Sequence, residues 1–136
     1  MYSKKTYWNS TNRDMTILNI LWDANVPMTA VEIADAREDF SVNIVQPPLR
    51  KLLRENLIEV SDIVYSGKVL TRRFRPTMTR EEFAASQVTE ELRQAQTEFS
   101  APSFVLAMLK TEKDDKKKLQ EIQDLERMLE EYKKTL

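Results

Sequence analysis

The chain has 136 residues, 41% of them hydrophobic and 32% charged, with a net charge of −1 at pH 7, a balance that predicts a folded chain rather than a disordered one. Cysteine and histidine are absent and Gly67 is the only glycine, which excludes disulfides, zinc fingers and glycine-rich nucleotide loops, so we expect no enzyme, no catalytic residues, no metal and no cofactor. There is neither a signal-peptide pattern nor a run of 18 apolar residues, and we therefore expect a cytoplasmic protein without a membrane segment.

The first predicted helix is opened by a capping box. Thr11 and Asp14 stand three residues apart, the spacing at which each side chain bonds the other residue's backbone N–H. The apolar residues that follow at helical spacing are Ile17, Leu18, Leu21 and Trp22. They predict an amphipathic helix with one buried face.

A second capping box, formed by Thr29 and Glu32, predicts a second helix directly after Thr29. This helix is expected to bury Val31 and Ile33 and to stop around Asp39.

A third helix is predicted within residues 40–56, with one apolar and one basic face. Its leucines at helical spacing, which should face inward, are Leu49, Leu52 and Leu53. Its basic residues, which should project outward, are Arg50, Lys51 and Arg54.

The stretch after the third helix predicts a β-hairpin. Residues 57–64 are rich in β-branched residues and partly alternating, and residues 69–75 resume an extended pattern. Ser66 and Gly67 between them supply a turn. Three helices followed by a two-stranded ribbon is the order of a winged helix-turn-helix, in which the hairpin is the wing. We therefore predict a mainly α winged-helix DNA-binding domain over residues 1–77.

Residues 78–136 are predicted to form a helical dimerisation region. Helix starts are expected at Thr79, at Ser100 and near Asp114. A winged-helix domain closes its own core within about 70 residues, so apolar residues beyond it need another surface. Those on the last two helices are Phe104, Val105, Met108, Leu109, Leu119, Ile122, Leu125, Met128 and Leu129. A twofold homodimer is the economical way to cover them.

The third helix and the wing together carry an excess of positive charge. Residues 43–75 hold seven basic and three acidic side chains, a local net charge of +4. In helix-turn-helix proteins the exposed residues of this helix meet base edges, while wing residues meet phosphates. The basic candidates for DNA contact are Arg50, Lys51, Arg54, Lys68, Arg72 and Arg73. Double-stranded DNA is therefore the predicted partner.

Several short motifs follow one another in a specific order between residues 12 and 132. They are Ile20-Leu-Trp22, Thr29-Ala-Val-Glu-Ile33, Phe40-Ser41, Val45, Leu49-Arg-Lys-Leu52, Leu57, Arg73-Phe-Arg-Pro76, Thr79-Arg-Glu-Glu-Phe83 and Ser103-Phe-Val-Leu-Ala-Met-Leu109. In order and spacing the sequence resembles the penicillinase and methicillin-resistance repressor family.

The resemblance implies a dimeric repressor that occupies inverted-repeat operators, often with TACA and TGTA half-sites. It also implies release from DNA when a sensor protease, a further predicted partner, cleaves the dimerisation arm. The family's cleavage point is an Asn-Phe pair, whereas the matching residues here are Ala107 and Met108. Copper-responsive relatives carry a cysteine cluster near the C-terminus, and its absence here excludes thiolate metal sensing.

Pro47 and Pro48 stand where relatives continue the recognition helix. A proline inside a helix costs about 3 kcal/mol and pushes the preceding residue towards extended geometry. We therefore expect the recognition helix to begin at Pro47 or Pro48, with residues 41–46 forming a separate turn or loop.

The resemblance also places the family's base contacts at four positions of this chain, which are Asn43, Ile44, Pro47 and Lys51. Only Asn43 and Lys51 keep a side chain that forms hydrogen bonds. We expect Gln46 and Arg50 to substitute for the other two, and Ser41 to complete the interface.

The predicted function is therefore transcriptional repression by a homodimer bound to inverted-repeat operator DNA. The alternative is a winged-helix protein-interaction adaptor that has lost sequence-specific DNA binding. Steeply salt-dependent DNA binding would distinguish the repressor from the adaptor.

Overall fold

The structure is a computed structural model that describes residues 11–136, and the first ten residues of the predicted winged-helix domain lie outside the described residues. The described chain is mainly helical and contains a small antiparallel sheet. Its elements in chain order are α1 (Asn12–Ala24), β1 (Met28–Thr29), α2 (Ala30–Asp35), α3 (Val42–Arg54), β2 (Ile58–Ser66), β3 (Val69–Pro76), α4 (Arg80–Gln94), α5 (Ala101–Lys110) and α6 (Asp115–Lys133). This order confirms the predicted winged-helix fold class with additional C-terminal helices.

Five helices begin at the polar residues that the sequence predicted. Thr11, Thr29 and Thr79 each form a complete capping box with an acidic residue three positions later. Ser100 and Asp114 accept backbone N–H hydrogen bonds at the starts of α5 and α6. These caps act within one turn of chain, which is why local sequence was sufficient to predict them.

The sheet places β3 between β1 and β2, with both pairings antiparallel. The predicted hairpin is confirmed, and Gly67 turns the chain with a φ of +65°. The short strand β1 was not predicted. Its residues Met28 and Thr29 pair with Phe74 and Arg73, more than 40 positions away, and two residues are too few to show an alternating pattern.

The second helix is shorter than predicted and buries a different set of side chains. It ends at Asp35, and Ile33 is fully buried, but Val31 is 47% exposed. Residues two apart on a helix differ by about 200° in direction, so Val31 and Ile33 cannot both face one core. The other buried residues of α2 are Ala30 and Ala34. The expectation that Val31 is buried was wrong.

The expected late start of the recognition helix was also wrong, because α3 runs without interruption through Pro47 and Pro48. Ser41 caps the helix by accepting the N–H of Ile44 at 3.3 Å. One face of α3 packs into the core, and its buried residues are Val45, Pro48, Leu49 and Leu52. The free energy gained by burying these four side chains exceeds the free energy lost because the two prolines cannot donate helical hydrogen bonds.

The described chain divides into two compact units, one ending at Gln96 and the other comprising Thr97–Leu136. Phe83 of α4 is buried in the core of the first unit and lies 5.7 Å from the ring of Trp22, measured between centroids. Trp22 also donates its indole N–H to the carbonyl oxygen of Met78 at 2.9 Å. Helix α4 therefore packs on the winged-helix fold, and the predicted domain boundary between residues 77 and 78 stays a prediction.

In the second unit, α5 and α6 pack against each other, and no residue of either helix is buried. The rings of Phe99 and Phe104 meet edge to face at 5.4 Å. Across residues 11–136, no helix combines the length and apolar character needed to span a bilayer.

Candidate nucleic-acid interface

Helix α3 presents one exposed stripe, made of Asn43, Pro47, Arg50 and Arg54, which we call the α3 stripe. Successive members are four, three and four residues apart, so they lie within about 60° of one another around the helix axis. The buried residues Val45, Leu49 and Leu52 occupy the opposite side, with exposures of 0%, 1% and 0%. The stripe is about 16 Å long at 1.5 Å per residue. It is therefore long enough to lie along a DNA groove.

Arg50 and Arg54 supply the positive charge of the α3 stripe. Both are exposed, and neither forms an ion pair with any residue of the described range 11–136. Their guanidinium groups keep all five N–H donors for an external acceptor such as a phosphate or a guanine edge.

Lys51 does not project outward as predicted. Its Nζ lies 2.8 Å from Oδ2 of Asp14, whose side chain is only 3% exposed, while 27% of the Lys51 side chain is exposed. The ion pair joins the last turn of α3 to the first turn of α1. Lys51 therefore positions α3 on the core, and direct DNA contact by this residue stays a prediction.

The charge of Asp14 is maintained by its neighbours. Burial raises the pKa of this carboxyl group, but hydrogen bonds from Lys51 and Thr11 outweigh burial, and the pKa falls below its ordinary value of 3.8. The carboxylate accepts the Thr11 backbone N–H at 3.0 Å as well as the Lys51 ammonium group at 2.8 Å. The Asp14 carboxyl group is therefore ionised at neutral pH.

On the wing, Arg73 forms a two-pronged ion pair with Asp62 of the neighbouring strand. Nε of Arg73 donates to Oδ1 of Asp62 at 2.8 Å, and Nη2 donates to Oδ2. The Arg73 hydrogen bonds lower the pKa of the Asp62 carboxyl group, and the same pair raises the pKa of Arg73. The pair stabilises the hairpin next to a register shift between Val60 and Asp62.

The other two predicted wing residues are open to solvent. The guanidinium carbon of Arg72 lies 5.3 Å from the centre of the Phe74 ring, and the Arg72 side chain remains exposed. Lys68 follows Gly67 at the tip and forms no ion pair within the described chain. The wing thus offers Lys68 and Arg72 for phosphate contacts.

One face of the wing is apolar and exposed, which the sequence did not predict. Tyr65 is paired with Leu70 across the hairpin, and Ile63 is paired with Arg72. Directly paired residues share a face of the sheet, and the three apolar ones are 60–73% exposed. The period-two pattern was visible in the sequence, but an alternating pattern indicates a buried face only where another layer covers it.

The remaining predicted contacts lie at the edges of the α3 stripe. Ile44 and Gln46 are half-buried, and the hydroxyl group of the exposed Ser41 is used as the helix cap. Of the predicted helix residues, Asn43, Pro47, Arg50 and Arg54 are the ones that share one exposed surface.

An open cleft of about 700 Å³ extends this basic surface towards α1. Arg13 and Arg54 line it, and Arg37 lines it while paired with Asp39 at 2.8 Å. Arg13 was not among the predicted contacts. It belongs to a different helix from the other candidates, so only the tertiary structure brings it near Arg54.

A comparison with protein-family models matches the chain to the penicillinase repressor family over residues 10–131. A search of the curated proteins finds no match. The matched span runs from the start of α1 nearly to the end of α6 and so includes both the winged-helix elements and the C-terminal helices. The chain belongs to the penicillinase repressor family, whose members repress transcription by binding DNA.

Proposed function

We propose that this chain is a homodimeric repressor that occupies inverted-repeat operator DNA in the cytoplasm. The observation that carries the proposal is the α3 stripe, which presents Arg50 and Arg54 without an ion pair to any residue in the range 11–136, on the third helix of a winged-helix element order. In helix-turn-helix proteins this helix lies in the major groove, with its N-terminal residues at the base edges. Asn43 and Pro47 then lie at the base-reading end, Arg50 lies within reach of both base edges and phosphates, and Arg54 lies near phosphates.

The wing supports this assignment through Lys68 and Arg72, which are both exposed on the hairpin that follows α3. Arg73 stays in the proposed interface despite its pairing with Asp62. A guanidinium group has five N–H donors, and Asp62 engages those on Nε and Nη2, so donors remain for a phosphate oxygen. The ion pair would then hold Arg73 in position for that contact.

The second unit supports the homodimer. All nine predicted dimerisation residues lie in α5 or α6, where no residue is buried within one chain. Met108, Leu119, Met128 and Leu129 are each more than half exposed. Apolar area removed from water stabilises association by about 25 cal/mol per Å², so a second copy is the partner that covers the same residues on both chains.

The proposal predicts DNA binding that depends steeply on salt. Each arginine that neutralises a phosphate contributes about 0.9 to the slope of log affinity against log salt concentration. Arg50→Ala and Arg54→Ala should each lower the slope by about that amount per bound protomer. The slope can be measured by fluorescence anisotropy with the full chain and a labelled duplex.

The matched control is Arg93→Ala, which removes an exposed arginine of the same charge from α4, where it is paired with Glu90. This variant should bind DNA as the wild type does. Equal losses from Arg93→Ala and Arg50→Ala would mean that only total charge matters, and the assignment of α3 would be wrong.

The rival function is the protein-interaction adaptor, which the exposed apolar wing face formed by Ile63, Tyr65 and Leu70 favours. An adaptor would show no duplex binding whose affinity falls measurably with salt concentration. In that case Tyr65→Ser should abolish binding to a protein partner, whereas in a repressor the variant would still bind DNA.

Control by a sensor protease is proposed on the family relationship alone. Ala107 and Met108 are exposed, but they lie inside α5, and a protease needs an extended backbone. Cleavage between them therefore requires local unfolding of α5. The Asn-Phe pair of the family is also missing at this point. Mass spectrometry of the chain from induced cells tests the route, because a cut after Ala107 would support it and an intact chain during induction would contradict it.

A further inference from the structure

The two prolines inside α3 leave two main-chain carbonyl groups without their helical donors. In an α-helix the N–H of each residue bonds to the carbonyl oxygen four positions earlier, and proline has no N–H. Pro47 therefore leaves the carbonyl oxygen of Asn43 free of this bond, and Pro48 does the same for Ile44.

These two carbonyl groups have different surroundings. The Asn43 carbonyl points along the helix towards Pro47, and both residues are exposed members of the α3 stripe. The Ile44 carbonyl points towards Pro48, which is buried against the core. Of these two carbonyl groups, only that of Asn43 therefore lies between exposed residues, on the side of α3 that faces DNA in the proposed complex.

The position of Asn43 within α3 is the one from which bases are read. It is the second residue of the helix, after the Ser41 cap and Val42, at the N-terminal end that meets base edges in helix-turn-helix complexes. A carbonyl oxygen only accepts hydrogen bonds. In the major groove the exposed donors are the N6 amino group of adenine and the N4 amino group of cytosine, whereas guanine and thymine present acceptors at the corresponding positions.

We propose that the main-chain carbonyl oxygen of Asn43 reads an exocyclic amino group of adenine or cytosine in the operator. The inference rests on the proposed DNA-binding function and adds a sequence-reading group that no side chain provides. A carbonyl group shut off from water by DNA needs a donor, because leaving it unpaired costs free energy. A keto-bearing base at this position supplies no donor and is therefore disfavoured.

The test uses the full chain and its preferred duplex, selected from a random-sequence pool at low salt. Each adenine of a half-site is replaced in turn by purine, which lacks the N6 amino group, and each cytosine by 2-pyrimidinone, which lacks the N4 amino group. One of these replacements should weaken binding by about three- to tenfold, the range for a single neutral hydrogen bond. The analogue that has this effect identifies the base.

Two variants at Pro47 separate the carbonyl group from the proline ring. Pro47→Val keeps an apolar side chain of similar size and restores an N–H that bonds to the Asn43 carbonyl, and Pro47→Ala restores the N–H without that side chain. Both should lose sensitivity to the amino-group replacement, and both should unfold at a higher temperature than the wild type because each gains a helical hydrogen bond. If Pro47→Val remains as sensitive as the wild type, the proposal is overturned.

Two controls complete the design. Asn43→Ala removes the side-chain amide but keeps the carbonyl group, and Pro48→Ala changes only the buried proline, so both should retain the sensitivity. Loss of sensitivity in Asn43→Ala alone would assign the reading to the side chain and overturn the proposal. Binding that no amino-group replacement weakens would overturn this inference alone, whereas a chain that binds no duplex would overturn the proposed function as well.

Discussion

Asp14 is the residue that connects the start of α1 to α3. Its carboxylate accepts the Thr11 N–H, as a capping box requires, and also accepts the ammonium group of Lys51, 37 positions later in the chain. The pair between Arg37 and Asp39 has the same length, but both side chains are about half exposed or more. Exposed pairs contribute about 0–1 kcal/mol to stability. Removing one partner of a pair that is largely buried costs more, because the other group loses its hydrogen bonds away from water.

We therefore expect Asp14→Asn to lower the free energy of unfolding by about 1–3 kcal/mol at pH 7, and Asp39→Asn to lower it by less. The effect should depend on pH. Because the pKa of Asp14 is lower in the folded chain than its ordinary value of 3.8, its contribution is complete above that value and is lost as the pH falls below it. Urea unfolding from pH 7 to pH 3 should show the difference between wild type and Asp14→Asn shrinking below about pH 4. A difference that is independent of pH would contradict the role of the ionised pair.

At the scale of the element, the wing depends on its turn and on a cross-strand ion pair. Gly67 has a φ of +65°, a conformation that side chains disfavour, and Ser66 and Val69 are paired on either side of the turn. The space around Gly67 is open, since a Cβ built there would meet nothing within 4 Å. Any cost of a side chain at this position therefore comes from the backbone and not from packing.

Gly67→Ala should accordingly destabilise the chain by about 1–2 kcal/mol, the cost of a left-handed conformation for an ordinary residue. Gly67→Asn should cost less, because asparagine tolerates this conformation better. Thermal or urea unfolding of both variants measures the difference. Equal losses for the two substitutions would indicate that something other than the backbone conformation limits the turn.

At the scale of the whole molecule, the two units are stabilised in different ways. The first has a core of buried residues drawn from α1, α2, α3, the sheet and Phe83 of α4. In the second, neither α5 nor α6 buries a single residue within one chain. Helices of 10 and 19 residues with no buried side chain are marginally stable alone, so the second unit gains most from a partner.

Leu129→Asp should therefore convert the dimer to a monomer, because it places a charge in the proposed interface without removing a buried contact from the single chain. Leu129 is 53% exposed in one chain. Gln123→Asp introduces the same charge at another exposed site of α6 and should leave the dimer intact. Sedimentation velocity at micromolar concentration gives the association state, and DNA affinity should fall with Leu129→Asp alone. A dimeric Leu129→Asp, or a monomeric wild type, would contradict the proposed interface.

The candidate site was predictable only in part. Arg50 and Arg54 were expected to be exposed because the leucines of the same helix have to face the core, and the structure places both on the α3 stripe. The partners of Lys51 and Arg73 were not predictable. Asp14 lies 37 positions from Lys51, and no periodic pattern within either helix indicates which carboxylate faces which cation.

The sequence by itself determined where most helices start, where the hairpin turns and which fold class results. These features arise from interactions within a few residues, such as the capping box of Thr11 and the positive φ at Gly67. Only the tertiary structure decided that α3 continues through Pro47 and Pro48 and that β1 joins the sheet. The physical reason is that burial and long-range pairing involve residues far apart in the chain. Their combined free energy exceeds the local free-energy cost of placing two prolines inside a helix.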